Sequence, residues 1–98
     1  MQTIDNRTHV WGTVKAVSAE SDMPNFGELT LSIHRTASLP DFPDLLTALT
    51  VKELTIHVPV ADLPDKALHT GRSVELVLEM ASRTLAFARP GTLHLAKP

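Results

Sequence analysis

No cysteine occurs in these 98 residues, which excludes disulfides, thiolate nucleophiles and sulfur-ligated zinc. Aromatic residues are nearly as scarce: one tryptophan, three phenylalanines and no tyrosine. A surface that stacks rings has few anchors to draw on, and the single indole, Trp11, is the first to consider. Neither charge is in large excess. Nine Lys plus Arg against eleven Asp plus Glu leave a net charge of −2, so no global field attracts nucleic acid or anionic membrane, and any phosphate contact has to be local. No stretch approaches the roughly twenty apolar residues of a membrane-spanning helix. The opening MQTIDNRTHV lacks the basic start and apolar run of a secretory signal, which predicts a soluble cytoplasmic protein, or a periplasmic one if a leader has been removed. Glycine-rich phosphate loops and nucleophile elbows are also missing. Asp41, Asp44, Asp62 and Asp65 stand where capping and turn formation account for them, so no enzyme, catalytic residue or cofactor is expected.

What is present is alternation. The length suits one domain, read as a flexible arm over 1–8 and a folded unit over 9–98. Val10, Gly12, Val14 and Ala16 share one parity and Trp11, Thr13 and Lys15 the other, which predicts a strand from His9 to about Ser18. Gly12 falls on its packed face and marks a bulge or sharp bend. Leu29, Leu31 and Ile33 alternate with Thr30, Ser32 and His34 in a second strand running to about Thr36. Leu54, Ile56, Val58 and Val60 make a third, and Val74, Leu76, Leu78 and Met80 a fourth. Leu85 and Phe87, then Leu93 and Leu95, read as a last strand kinked at Pro90. The predicted core is Leu31, Ile33, Ile56, Val58, Val74, Leu76 and Leu78. Two helices are expected between strands. Asp41 caps a short one near 42–49 in the insertion between strands two and three. Asp62 starts another over about 62–70, which Gly71 ends in a left-handed conformation.

Strand, strand, strand, short helix, strand, strand in about a hundred residues resembles the OB-fold, a five-stranded Greek-key barrel with its helix between strands three and four. The resemblance runs from Val10 to Leu95, through Gly12, the segment Asp62 to Gly71, and Gly71-Arg72-Ser73-Val74 entering strand four. The fold class expected is therefore all-β, with another small β-barrel or sandwich as the alternative. A narrower resemblance is to small periplasmic OB-fold copper and silver chaperones, through Lys52-Glu53-Leu54-Thr55-Ile56 and Leu31-Ser32-Ile33-His34. Their methionine ligands fall on Leu54 and Ile56, their capping tryptophan on Val51 and their histidine ligand nearer Arg35, so the donors that soft Cu(I) or Ag(I) needs are absent.

In the OB-fold the outer face of the first strands and its bordering loops is the usual ligand platform, and the resemblance implies seeking a site there. Trp11 to stack a base, Lys15, Arg35 and Lys52 to hold phosphates, and His34 and His57 on the same outward parity compose the candidate set for single-stranded nucleic acid. A solvated face with a packed Trp11 is the competing account. The two histidines alone do not make a metal site. The alternative partner is a protein or a second copy of the chain in a homodimer. It would be held by Leu39, Phe42, Leu45, Leu46 and Leu49 of the insertion, which is more apolar than a connection requires unless these leucines close the barrel end.

Overall fold

A computed structural model describes residues 5–47, 51–63, 69–82 and 84–96. Among them are six strands: β1 (Thr8–Ser18), β2 (Phe26–Ser38), β3 (Glu53–Pro59), β4 (Ser73–Ser82), β5 (Leu85–Ala88) and the short β6 (His94–Leu95). Strands β1, β2 and β3 form an antiparallel meander, β5 lies parallel to β3, β4 pairs antiparallel with β5, and β4 returns to β1. The order β1-β2-β3-β5-β4-β1 closes a five-stranded barrel, which leaves no open sheet edge around most of its girth and is compatible with an OB-like barrel. The sixth strand is an addition, sharing with β5 the same edge of β4.

The interior follows from the alternation. Val10, Val14, Leu29, Leu31, Ile56, Val58, Val74, Leu76 and Leu78 are all essentially inaccessible, each worth roughly 1.5–3 kcal/mol on burial. Of the expected core only Ile33 is half-buried, packed against the cluster from its rim. This core is entirely aliphatic, with Met80, Ala86 and Ala88 filling the β4–β5 side. All four aromatic side chains, Trp11, Phe26, Phe42 and Phe87, are half-buried outside it.

Gly12 is fixed by contact rather than by torsion. A Cβ there would stand 2.6 Å from the Ser32 carbonyl oxygen and 3.3 Å from the Leu31 Cβ. The missing side chain lets β1 press against β2 where the pairing slips, between Trp11 and Gly12. The arm is not free from residue 6 onward. The Asn6 Nδ2 donates to the Met80 carbonyl at 2.9 Å and its Oδ1 accepts from the Met80 amide at 2.8 Å, so one buried amide side chain imitates a strand partner of β4.

Neither expected helix is found among the described residues, which hold no α-helix. Between β3 and β4 the chain makes one 3₁₀ turn (Val60–Asp62). Leu63 is extended, and the Asp62 carboxylate turns away to accept from the Gly91 amide at 2.9 Å instead of capping the next turn. Gly71 does take a left-handed φ of 92°, in the turn that enters β4; residues 64–68 of the expected helix lie outside the described residues. In the β2–β3 insertion Asp41 is itself in the left-handed region, at φ 68°, and cannot serve as the predicted cap. Asp44 receives the Leu46 and Thr47 amides, each at 3.0 Å, while residues 48–50 lie outside the described residues. Two prolines in Pro40-Asp41-Phe42-Pro43 hold this stretch in turns. No helix of the described residues is long and apolar enough to cross a membrane.

Candidate functional site

The outer face over β1 and β2 is shaped by one extra residue. Trp11 pairs with Arg35 and Gly12 with Ile33, so His34 is inserted on β2 without a partner on β1. Strict alternation would put Arg35 on the same side as Leu31 and Ile33; the inserted residue turns it outward, directly across from Trp11. Its guanidinium carbon lies 4.3 Å from the centre of the Trp11 ring. His9, two residues back on the same strand face, stacks on Trp11 at 3.9 Å with planes 16° apart, and its Nε2 is 3.3 Å from a Glu75 carboxylate oxygen on β4. Glu75, His9, Trp11 and Arg35 thus form a continuous row over three strands. The tryptophan is neither core nor free: its ring is held by planar groups that a ligand ring can replace.

Beside this row is a cleft of about 220 Å³ whose apolar lining is Ile33, Leu46 and Val51 and whose polar lining is His34, Arg35, Thr36 and Thr47. Its polar side is ordered by short contacts. His34 Nε2 and the Thr13 hydroxyl are 2.6 Å apart, and the Thr36 and Thr47 hydroxyls 2.8 Å apart.

The other predicted residues divide. Lys52 is exposed beside the platform, its carbonyl accepting from the Ile33 amide at 2.8 Å. Lys15 is the unpaired residue of a second irregularity, between Val14 and Ala16, and is exposed four residues from Trp11, roughly 13 Å along the strand. Glu53 and Glu75 share the surface, so the local charge is only weakly positive. His57 is not brought in. It pairs with Glu28, six residues from His34 on β2 and so roughly 20 Å away. Its ring packs 5.4 Å from Phe87, and its Nδ1 is buried without a hydrogen-bond partner. Among the described residues no three His, Cys, Asp or Glu side chains converge.

The alternative set divides as well. Leu46 is 2% exposed and belongs to the core, plugging the barrel end. Phe42 lies 4.0 Å beneath the Arg7 guanidinium, Leu39 is half-buried, Leu45 is exposed, and Leu49 is outside the described residues. Asp44 fastens this plug. It accepts from the Thr8 hydroxyl at 2.7 Å, the Ser38 hydroxyl at 3.1 Å, the Leu46 and Thr47 amides and the Thr47 hydroxyl. Partial burial by itself would raise its carboxyl; the Thr47, Thr8 and Leu46 donors outweigh it and lower it to about 2.

Sequence reasoning missed His9, Glu75 and Arg7. Outward parity with Trp11 carries the signal for His9, whereas Glu75 and Arg7 reach their partners only through barrel closure and the folded insertion. No family model matches this chain, and neither the curated proteins nor the solved structures include a match to it, so its function has to be read from the geometry of its own surface.

Proposed function

We propose that this protein is a non-enzymatic binding module, an OB-like barrel that binds single-stranded nucleic acid weakly through the outer face of β1 and β2. The observation that supports the reading is the lone tryptophan on the outside of the barrel, stacked with Arg35 and His9 beside a small cleft of mixed polarity. A base displaces one planar neighbour from Trp11 and takes its place at comparable separation. Released from the ring, Arg35 pairs with the adjacent phosphate, a better partner for a guanidinium than an aromatic face. Lys52 and Lys15 extend the phosphate track, and His34 with Thr36 lies where a neighbouring base enters the cleft. Glu53 and Glu75 hold the affinity down. His57, on another part of the barrel, has no role in this interface.

Two or three phosphate contacts predict a slope near −2 for log affinity against log salt, since each contributes about −0.7 on a single strand. Loss of one stacked base costs about 1–3 kcal/mol, so Trp11→Ala weakens binding about tenfold or more while the barrel stays folded. Titration of labelled oligonucleotides at low salt, read by anisotropy, checks both. Absence of binding at low salt, or equal affinity for duplex and single strands, rules the proposal out. A protein partner bound through the insertion is less favoured, because Leu46 faces the core and Leu45, at 37% exposure, is the most open leucine among its described residues.

A further inference from the structure

A second cleft, of about 560 Å³, opens on another part of the barrel wall, between the chain just ahead of β1 and the paired strands β4 and β5. Its size falls within the roughly 300–1,000 Å³ of small-molecule sites. Met80, Ala81 and Phe87 supply apolar lining, and Phe87 is steadied by Phe26 at 5.6 Å edge-on and by His57 at 5.4 Å. Glu79 pairs with Phe87 across β4 and β5, while Arg7, one residue ahead of the Thr8–Leu78 pair, falls on its other side.

Both guanidiniums in this cleft are under-used. Arg7 is held over Phe42, its Nε is buried with no hydrogen-bond partner, and its nearest carboxylate, an exposed Asp5, is 3.9 Å away. Arg89 makes a single contact to Glu79 at 3.4 Å, long for a charged pair, with both side chains about a third exposed. Five N–H donors on each arginine exceed what these contacts consume.

We infer that this cleft binds a small aromatic carboxylate, its ring against Phe87 and its carboxylate on Arg7 and Arg89, displacing Glu79. The lining contains two cations and two anions, so a single negative charge is accommodated and a dianion is repelled by Asp5 and Glu79. An aromatic body covers the exposed part of the Phe87 ring, which a bare anion leaves wet. The site is separate from the Trp11 row and stands whether or not that row binds nucleic acid.

Sodium benzoate is the probe, followed by amide chemical shifts of the whole protein at constant ionic strength, with benzyl alcohol and sodium acetate as controls. Saturable shifts centred on Arg7, Met80 and Phe87 are expected with benzoate, and much weaker effects with either control. Arg89→Gln weakens benzoate binding about tenfold, as loss of a charged hydrogen bond requires. Glu79→Gln tightens it several-fold, because the internal competitor for Arg89 is gone. Arg7→Lys keeps the charge and stem but loses the fork, and gives an intermediate loss. Trp11→Ala changes nothing here. Shifts that stay linear in benzoate, indifference to Arg89→Gln, or weaker binding in Glu79→Gln overturn the assignment.

Discussion

Asp44 illustrates how much one side chain can organise on a surface with little secondary structure. It gathers donors from β1, from the end of β2 and from the chain ahead of β3, and so pins the plug that carries Leu46 into the barrel. Its folded carboxyl, at about 2 against an ordinary 3.8, makes it a source of stability with a defined pH range. The contribution is complete above about pH 4, fades as the pH falls from 3.8 toward 2, and is absent below, because the unfolded chain takes up the proton first. At about 1.4 kcal/mol per unit the shift corresponds to something on the order of 2 kcal/mol. Asp44→Ala is expected to lose about that much at neutral pH. Urea titrations at pH 7 and pH 2.5 check it: the variant's deficit shrinks at the lower pH, and an equal deficit at both removes the charge from the account.

At the scale of elements the decisive features are the two places where β1 and β2 fall out of step. At the first, His34 is the extra residue and Gly12 the facing one; at the second, Lys15 is extra. The first lies within the part of β1 that pairs both β2 and β4, and the second falls just beyond Thr13, where the β4 register ends and β1 goes on with β2 alone. Gly12→Ala places a methyl 2.6 Å from the Ser32 carbonyl, and backbone on a central strand has nowhere to retreat. The expected cost is about 1–3 kcal/mol, as for other overpacked sites, with the Trp11–Arg35 stack disturbed at the same time. Chemical denaturation measures the first and tryptophan fluorescence the second. Unchanged stability shows that the contact relaxes more easily than the strand geometry implies.

For the molecule as a whole, the aliphatic core and the outward placement of every aromatic ring separate stability from surface chemistry. Leu46 at the barrel end is part of the core, whereas Leu45 next to it is exposed. Leu46→Ala is therefore expected to cost about 2–5 kcal/mol, and Leu45→Ala to fall within about 0.5 kcal/mol of the parent. Comparable losses from the two show that the plug is docked in a different register. For the same reason Leu45→Glu alone, and not a double change with Leu46, is the surface variant that tests association through this segment.

Strand alternation is a local property: covalent geometry sends successive side chains to opposite faces, so Leu31, Ile56, Leu76 and their neighbours declare a core, and Trp11 an outer surface, without reference to the rest of the chain. The all-β character, the order of the main strands and the outward tryptophan were legible in that way. Helix signals were not reliable, because an aspartate ahead of a proline serves a turn as well as a cap; Asp62 bonds to Gly91 across the fold, and Asp41 lies in a left-handed turn. Only the tertiary structure decided that Arg35 meets Trp11, that His57 stands far from His34, that Leu46 turns inward and that Arg7 and Arg89 share a cleft. They depend on a register shift, on which residues of two strands pair, on the bonds that dock the Asp44 plug and on barrel closure, settled by packing such as that of Gly12 against Ser32, which no periodicity within one strand records.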